Sequence, residues 1–208
     1  MNRCILICAS PDIDIDYCKS IITRDDHIFC ADGGYDYAKE IGVVPRLVVG
    51  DFDSAHSKKI LADQVITLPT QKDDTDTMYC IKEIIKRGYR DIAILGGMGG
   101  RLDHTLANIT ALKYLADNGC VGRLLDKSSV IHYCVDKLTI GGNNNTVSIF
   151  PFACEKAEVS LSGFRYTLNH FQMTASFPLG ISNVAENEAS EINVYSGGVI
   201  VIEYLSSC

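Results

Sequence analysis

Short runs of aliphatic and β-branched residues recur along the N-terminal half of the chain, and each stops at glycine or aspartate. Ile28-Phe29-Cys30-Ala31 leads into Asp32-Gly33-Gly34, and Leu47-Val48-Val49 leads into Gly50-Asp51-Phe52-Asp53-Ser54. Val65-Ile66-Thr67-Leu68 is followed by Pro69 and then by Lys72-Asp73-Asp74-Thr75-Asp76. Ile92-Ala93-Ile94-Leu95 opens into Gly96-Gly97-Met98-Gly99-Gly100-Arg101-Leu102-Asp103-His104. Apolar runs of this length, bounded by turn residues, predict buried strands. Helical spacing follows three of them. Ala38 and Ile41 mark a brief helix, and Met78, Ile81, Ile84 and Ile85 mark one from Thr75 to about Arg87. Ala107, Ala111, Tyr114 and Leu115 mark a third from about Asp103 to Asp117. Strand alternating with helix predicts an α/β fold, a mostly parallel sheet flanked by helices. Parallel strands set their C-terminal ends along one edge, so the four polar loops should share a rim.

The pattern changes near Gly119 to Asp126. Beyond it helical periodicity gives way to short β-rich runs: Val130 to Val135, Thr146 to Phe150, Ala157 to Leu161, Ile192 to Tyr195 and Val199 to Tyr204. Gly141 to Asn145 and Ser196-Gly197-Gly198 read as hairpin turns between such runs. Two domains are therefore expected, residues 1–122 of α/β type and residues 123–208 all-β.

The rim carries the chemistry. If the extended backbone persists past Gly50, Asp51 and Asp53 sit at i and i+2 and project the same way. Two converging carboxylates repel unless a cation lies between them; an acidic turn accounts for the same residues equally well. Recurrence of the arrangement at other strand ends favours a site. Four glycines between Gly96 and Gly100, ahead of a helix, let backbone N–H groups approach a phosphate, and the helix N-terminus favours negative charge. The spacing matches neither the P-loop nor the dinucleotide fingerprint. Arg101 beside Gly99 and Gly100 adds a fork for phosphate oxygens, and Lys72 adds a second candidate positive charge.

Charge narrows the ligand. The 19 Lys and Arg against 26 Asp and Glu give a net charge of −7, and an aspartate rim would repel ATP unless a divalent metal intervened. Oxygen-only ligands suit Mg²⁺, which bridges one or two carboxylates to substrate phosphates. None of the nine cysteines forms a Cys-x-x-Cys pair, which argues against a thiolate metal site. Asp12, Asp14 and Asp16 alternate with Ile13 and Ile15 and read as a solvated helix start. His104 reads as an orienting or packed residue at a helix start. A chain of 208 residues that is 47% apolar can bury a core without disulfide staples. Its odd cysteine count, with Cys4, Cys8 and Cys30 in apolar runs, predicts free thiols in a reducing, cytoplasmic setting. The opening residues are too short and too soon broken by Pro11 for a signal peptide, and no run approaches membrane-spanning length. No basic, aromatic-interleaved surface for nucleic acid is present.

Ala31-Asp32-Gly33-Gly34, Gly50-Asp51-Phe52-Asp53-Ser54, Asp73-Asp74-Thr75-Asp76 and the run from Gly99 to Asn108 resemble the thiamine pyrophosphokinase family in order and spacing. Leu161-Ser162-Gly163-Phe164-Arg165-Tyr166 and Gly180-Ile181-Ser182-Asn183 resemble the thiamine-contacting half of the same enzymes. The resemblance covers essentially the whole chain. It implies an α/β domain followed by a β-sandwich. It also implies a homodimer with shared active sites, each between the α/β domain of one subunit and the sandwich of the other. It implies transfer of a diphosphoryl group from ATP to the hydroxyethyl group of thiamine, giving thiamine diphosphate and AMP.

By the same resemblance Asp32, Asp51, Asp53 and Asp76 match Mg²⁺-binding and catalytic positions. Thr75 and Arg101 match substrate- and phosphate-binding positions, Ser182 and Asn183 the thiamine side, and Asp103 a further motif residue. Two departures stand out. Val184 follows the Ser-Asn pair where many bacterial relatives carry an acidic residue, and the chain has no tryptophan to lie against thiamine, leaving Phe177 or Tyr195.

In the expected reaction, Mg²⁺ held by Asp51, Asp53 and Asp76 bridges the ATP phosphates, and the thiamine hydroxyl attacks the β-phosphorus and expels AMP. Asp76 is the candidate acceptor for the hydroxyl proton. Rival readings are a diphosphokinase acting on another hydroxymethyl acceptor such as a pterin, a metal-dependent nucleotide hydrolase, and a non-catalytic nucleotide sensor.

Overall fold

The computed structural model describes residues 3–51, 60–69, 73–141 and 144–205; Asp53 and Lys72 lie outside them. The chain divides into two compact units, Met1–Lys127 and Ser128–Cys208. The division falls after Lys127 rather than after Gly122, because the strand Val121–Leu125 pairs in parallel with Asp91–Leu95 and so completes the first sheet.

The first unit runs β1 (Cys4–Ile7), α1 (Ile15–Ile21), β2 (His27–Ala31), α2 (Gly34–Ile41), β3 (Leu47–Gly50), β4 (Gln64–Thr67), α3 (Asp76–Lys86), β5 (Asp91–Leu95), α4 (Leu102–Asp117) and β6 (Val121–Leu125). Its six strands are all parallel, in the order β4-β3-β2-β1-β5-β6. All four residues of β1 and of β3 are buried, which is why they read as unbroken apolar runs. One face of the sheet packs Ile5, Ile7, Val48, Ala93 and Leu95 against Cys18, Tyr35 and Ala38 of the helices. Each fully buried Ile or Leu there contributes roughly 1.5–3 kcal/mol.

The helices begin where short polar side chains can cap them. Asp14 accepts the Tyr17 N–H at 2.8 Å to start α1, and Thr75 accepts the Met78 N–H at 3.1 Å to start α3. Strand order reverses at β1, with β2 on one side and β5 on the other. In an open parallel sheet that reversal leaves a crevice outside the C-terminal ends of the two strands.

The second unit holds β7 (Ser129–Cys134), β8 (Lys137–Gly141), β9 (Thr146–Pro151), β10 (Lys156–Ser162), β11 (Leu168–Thr174), β12 (Asn183–Val184), β13 (Ala189–Ser196) and β14 (Val199–Tyr204). They form two antiparallel groups, β12-β9-β14-β7 and β11-β10-β13-β8. Val147, Ile149, Val199 and Val201 of one group pack with Val159, Leu161, Ile192 and Val194 of the other. This is a β-sandwich. The strands β8, β11 and β12 have no counterpart among the apolar runs, because their exposed positions carry polar or mixed side chains.

Gly34 ties this framework to the rim. A Cβ there would fall 2.2 Å from the Ile7 carbonyl oxygen, so the start of α2 sits directly on β1. Gly34→Ala is expected to destabilise the protein by about 1–3 kcal/mol, because the atom it meets is backbone and cannot rotate away. Denaturant unfolding of the two proteins checks this; an unchanged midpoint would show that α2 can shift freely.

Candidate active site

A cavity of about 620 Å³ opens in the first unit at the strand-order reversal. The segment after β1 supplies Cys8, Ala9, Ser10 and Pro11, the end of β2 supplies Ala31 and Asp32, and the start of α3 supplies Thr75, Asp76 and Thr77. The loop after β5 supplies Gly96, Gly97, Gly99, Gly100 and Arg101, and α4 adds His104 and Asn108. Of the residues expected at the rim, Asp32, Thr75, Asp76, Gly99, Gly100 and Arg101 therefore meet around one space. Asp51, at the end of β3, is half-buried and does not line it.

Each polar residue is placed by its local backbone. Asp32 follows the last residue of β2 with φ +49, in the left-handed region that Asp tolerates better than most residues. Its N–H donates to the Val49 carbonyl at 2.7 Å, which turns the chain off the strand and into α2. Asp76 is the first residue of α3, where the helix dipole favours a negative side chain.

The glycine loop needs its glycines. Gly96, Gly99 and Gly100 have φ of +61, +90 and +60, and a Cβ on Gly96 would meet the Cys8 carbonyl oxygen at 2.6 Å. Asn108 of α4 donates to the Gly97 carbonyl at 2.8 Å and holds the loop against the helix. Arg101 immediately precedes α4, and no side chain caps that helix at its first residue. An uncapped helix start beside a glycine loop is suited to an anion.

Two carboxylates lie on the anion-binding groups. Asp103 takes the Arg101 fork through two bonds, at 2.6 and 3.1 Å, and also accepts the His104 N–H at 3.0 Å. Asp12 reaches the loop from the other side, where the Gly100 N–H donates to its Oδ2 at 2.7 Å. Asp12 is thus exposed but bound to the glycine loop, and not simply solvated surface. Its partner lies 88 residues away in sequence, so no local pattern could have indicated the contact. The lining contributed by Ser10 and Pro11 was likewise absent from the sequence reading. His104 is exposed at the cavity rather than packed.

The donor set is compatible with a hard divalent cation, since every ionisable group on the cavity wall that could ligate one through oxygen is a carboxylate. Among the described residues no cluster of three or more His, Cys, Asp or Glu side chains forms a self-contained metal cage. Mg²⁺ does not require one, because it is held by one or two carboxylates together with substrate phosphates. Asp32 and Asp76 meet that requirement.

With this geometry in place, the known relatives can be compared. A family model described as the thiamin pyrophosphokinase catalytic domain matches residues 18–121, and one described as its vitamin B1 binding domain matches residues 135–199. The chain belongs to the thiamine pyrophosphokinase family. It is thereby an enzyme of the diphosphotransferase class. The thiamine pyrophosphokinase of Bacillus subtilis is 29% identical over 174 residues, covering 78% of this chain and 80% of that protein. Thiamin pyrophosphokinase 1 of Caenorhabditis elegans is 25% identical over 155 residues, and that match spans 62% of its length. The crystal structure of the Bacillus subtilis enzyme superposes with a TM-score of 0.86 at 24% identity, covering 99% of this chain and 100% of that one. The yeast enzyme's structure gives 0.76 at 19% identity, covering 98% and 86%. At such identities the two structures establish the shared fold.

In this family member the second unit places the remaining expected residues. Ser182 is exposed and takes φ +56, with its N–H donating to Ser148 Oγ at 3.1 Å. Asn183 is buried, and its amide is committed to backbone. Its Oδ1 accepts the Tyr166 and Val184 N–H groups at 3.0 and 2.9 Å, and its Nδ2 donates to the Tyr166 carbonyl at 2.7 Å. Asn183 is therefore a staple that shapes the segment around Ser182. Phe177, Leu179 and Ile181 in that segment are exposed, whereas Tyr195 has one face stacked on His170 at 4.1 Å.

The Arg101 guanidinium holds the Asp103 carboxyl down to about 2, despite some desolvation that acts the other way. A depressed carboxylate keeps its ion pair above the ordinary carboxylate range and loses it only as pH falls towards its own pKa. NMR titration of Asp103 is expected to show a midpoint near 2, rising towards the ordinary carboxylate range in Arg101→Ala, where the His104 N–H still holds it. Equal midpoints in the two proteins would mean that the pair does not persist in solution.

Proposed function

We propose that this enzyme transfers the diphosphoryl group of ATP to the hydroxyethyl oxygen of thiamine, giving thiamine diphosphate and AMP, with the ATP polyphosphate in the cavity of the first unit. One observation carries the reading: an acidic pair, Asp32 and Asp76, faces a glycine loop and Arg101 across a single cavity at the strand-order reversal. That pairing of negative and positive walls suits a metal-complexed polyphosphate better than a bare anion or a bare cation.

Mg²⁺ would be held by Asp76 and Asp32, with Asp51 at the neighbouring strand end, and would neutralise charge on the phosphates when bound. The chain's own groups do the rest. The loop backbone at Gly99 and Gly100, the first turn of α4 and Arg101 present N–H donors to phosphate oxygens once the internal carboxylates of Asp12 and Asp103 yield. Thr75 is spent partly as the α3 cap, which fixes its hydroxyl beside Asp76. Attack of the thiamine hydroxyl on the β-phosphorus forms one P–O bond and breaks the bond to the α-phosphate oxygen, which leaves with AMP. The hydroxyl proton passes to a carboxylate of the wall, for which Asp76 is the candidate.

The vitamin B1 binding match over residues 135–199 supports thiamine as the acceptor. Within it, Ser182 and the exposed Phe177 are the candidate thiamine-facing groups. A cytoplasmic homodimer is part of the same proposal. All eight cysteines among the described residues are free thiols, as suits a reducing compartment. Among the described residues no helix is long and apolar enough to cross a membrane.

Incubation with ATP, Mg²⁺ and thiamine should yield thiamine diphosphate and AMP in equal amounts. Thiamine monophosphate with ADP would overturn the proposal, as would AMP released at the same rate without thiamine. Asp76→Asn is expected to lower kcat by about 10²-fold or more while the protein stays folded. Near-normal turnover in that variant would remove Asp76 from the reacting centre.

A further inference from the structure

Asp12 lies outside the motifs that carry the family resemblance and does not itself line the cavity, yet its carboxylate takes a backbone donor of the glycine loop whose Gly99 and Gly100 do. The Gly100 N–H donates to Asp12 Oδ2 at 2.7 Å, and a Cβ on Gly99 would fall 2.3 Å from the same oxygen. The carboxylate therefore presses against the glycine loop just where backbone donors are exposed. A carboxylate oxygen and a phosphate oxygen make the same charge-assisted bond to a backbone N–H. They cannot both make it well at one donor.

The loop from Gly96 to Met98 is held without Asp12. The Ser10 N–H donates to the Gly96 carbonyl at 3.0 Å, the Ser10 hydroxyl donates to the Met98 carbonyl, and the Cys8 N–H donates to the Leu95 carbonyl at 2.8 Å. Asn108 holds the loop from the helix side. The segment after β1 is thus stitched to the glycine loop without the carboxylate, and removing that carboxylate leaves the stitches in place. Arg101, the other anion-binding group, is likewise engaged by an internal carboxylate, that of Asp103.

We infer that Asp12 is an intramolecular competitor for the phosphate-binding loop: its carboxylate occupies the Gly100 N–H, must be displaced by polyphosphate, and so weakens nucleotide binding. The inference rests on the proposed seat of the polyphosphate. A site whose competent form is only partly populated binds with an apparent Kd raised by the inverse of that fraction. That factor is the same for every ligand that needs the Gly100 N–H, so Asp12 weakens Mg·ATP and inorganic phosphate alike.

Calorimetric titration of wild type, Asp12→Ala and Asp12→Asn with Mg·ATP and with inorganic phosphate tests this, alongside thermal unfolding. Asp12→Ala is expected to bind Mg·ATP about three- to tenfold more tightly and inorganic phosphate with a similar gain. Asp12→Asn keeps a neutral acceptor for the Gly100 N–H without the charge, and should fall between wild type and Asp12→Ala. If both variants bind Mg·ATP as wild type does, or if Asp12→Ala binds more weakly while Asp12→Asn is unchanged, the competitor role is wrong. In the second case Asp12 positions the loop. Arg101→Ala separates the two levels of the argument. If Mg·ATP binds Arg101→Ala as tightly as wild type and Asp12 variants have no effect, the seat of the polyphosphate is itself misplaced. Weaker binding by Arg101→Ala together with unaltered Asp12 variants overturns the competitor role alone.

Discussion

The strand β1 is the constraint on which the site depends. All four of its residues are buried, and it pairs in parallel with β2 on one side and β5 on the other. The chain leaves β1 and β2 for α1 and α2 on one face of the sheet, and because the strand order reverses at β1, with β5 on its other side, a crevice opens outside the strand ends there. Gly34 lets α2 begin against the Ile7 carbonyl, and Gly96 lets the β5 loop pass the Cys8 carbonyl. Both close approaches are made to the same short piece of backbone. The positions of Asp32 and of the glycine loop are therefore set by one strand, and a shift of β1 would move both walls of the cavity together.

The charge arrangement follows from that geometry. One wall bears Asp32 and Asp76, and the other bears backbone donors and Arg101. Left unopposed, the donors of the second wall would need water or a counter-anion, and the structure supplies carboxylates from nearby turns. Asp103 lies two residues after Arg101, in the first turn of α4, while Asp12 is brought in from a separate loop. Exposed interactions of this kind are individually weak. That weakness suits a site whose internal partners have to yield to a substrate.

Much of this was legible in the sequence, and the limits have physical causes. The strands β2, β3 and β5 and the helices α3 and α4 announce themselves because they are buried on both faces or on one helical stripe. Acidic and glycine-rich strand ends follow from the parallel sheet, so Asp32, Thr75, Asp76, Gly99, Gly100 and Arg101 could be gathered before any coordinates. Asp12 could not, since a contact spanning 88 residues leaves no periodic trace. The strand β11 was missed for a different reason. Its residues from Asn169 to Phe171 and Gln172 are exposed, so Leu168–Thr174 lacks the alternation that a half-buried strand shows. Motif similarity placed Asn183 at the thiamine side, but similarity carries a residue type and not its hydrogen bonds.

Asn183 illustrates how a residue within a motif can be committed to the backbone around it. Its amide satisfies three backbone groups of Tyr166 and Val184, and it is buried while Ser182 beside it is exposed. Ser182 takes a left-handed backbone that few residues other than glycine adopt cheaply, at a cost on the order of 1–3 kcal/mol. Such strain persists only when its surroundings over-determine it. The Asn183 staple on one side and the Ser148 hydroxyl on the other provide that support. The pair thus divides its labour, with the buried amide fixing the turn and the exposed serine presented by it. Replacing the asparagine with any side chain that cannot both donate and accept would release the turn, even though no ligand atom had been touched.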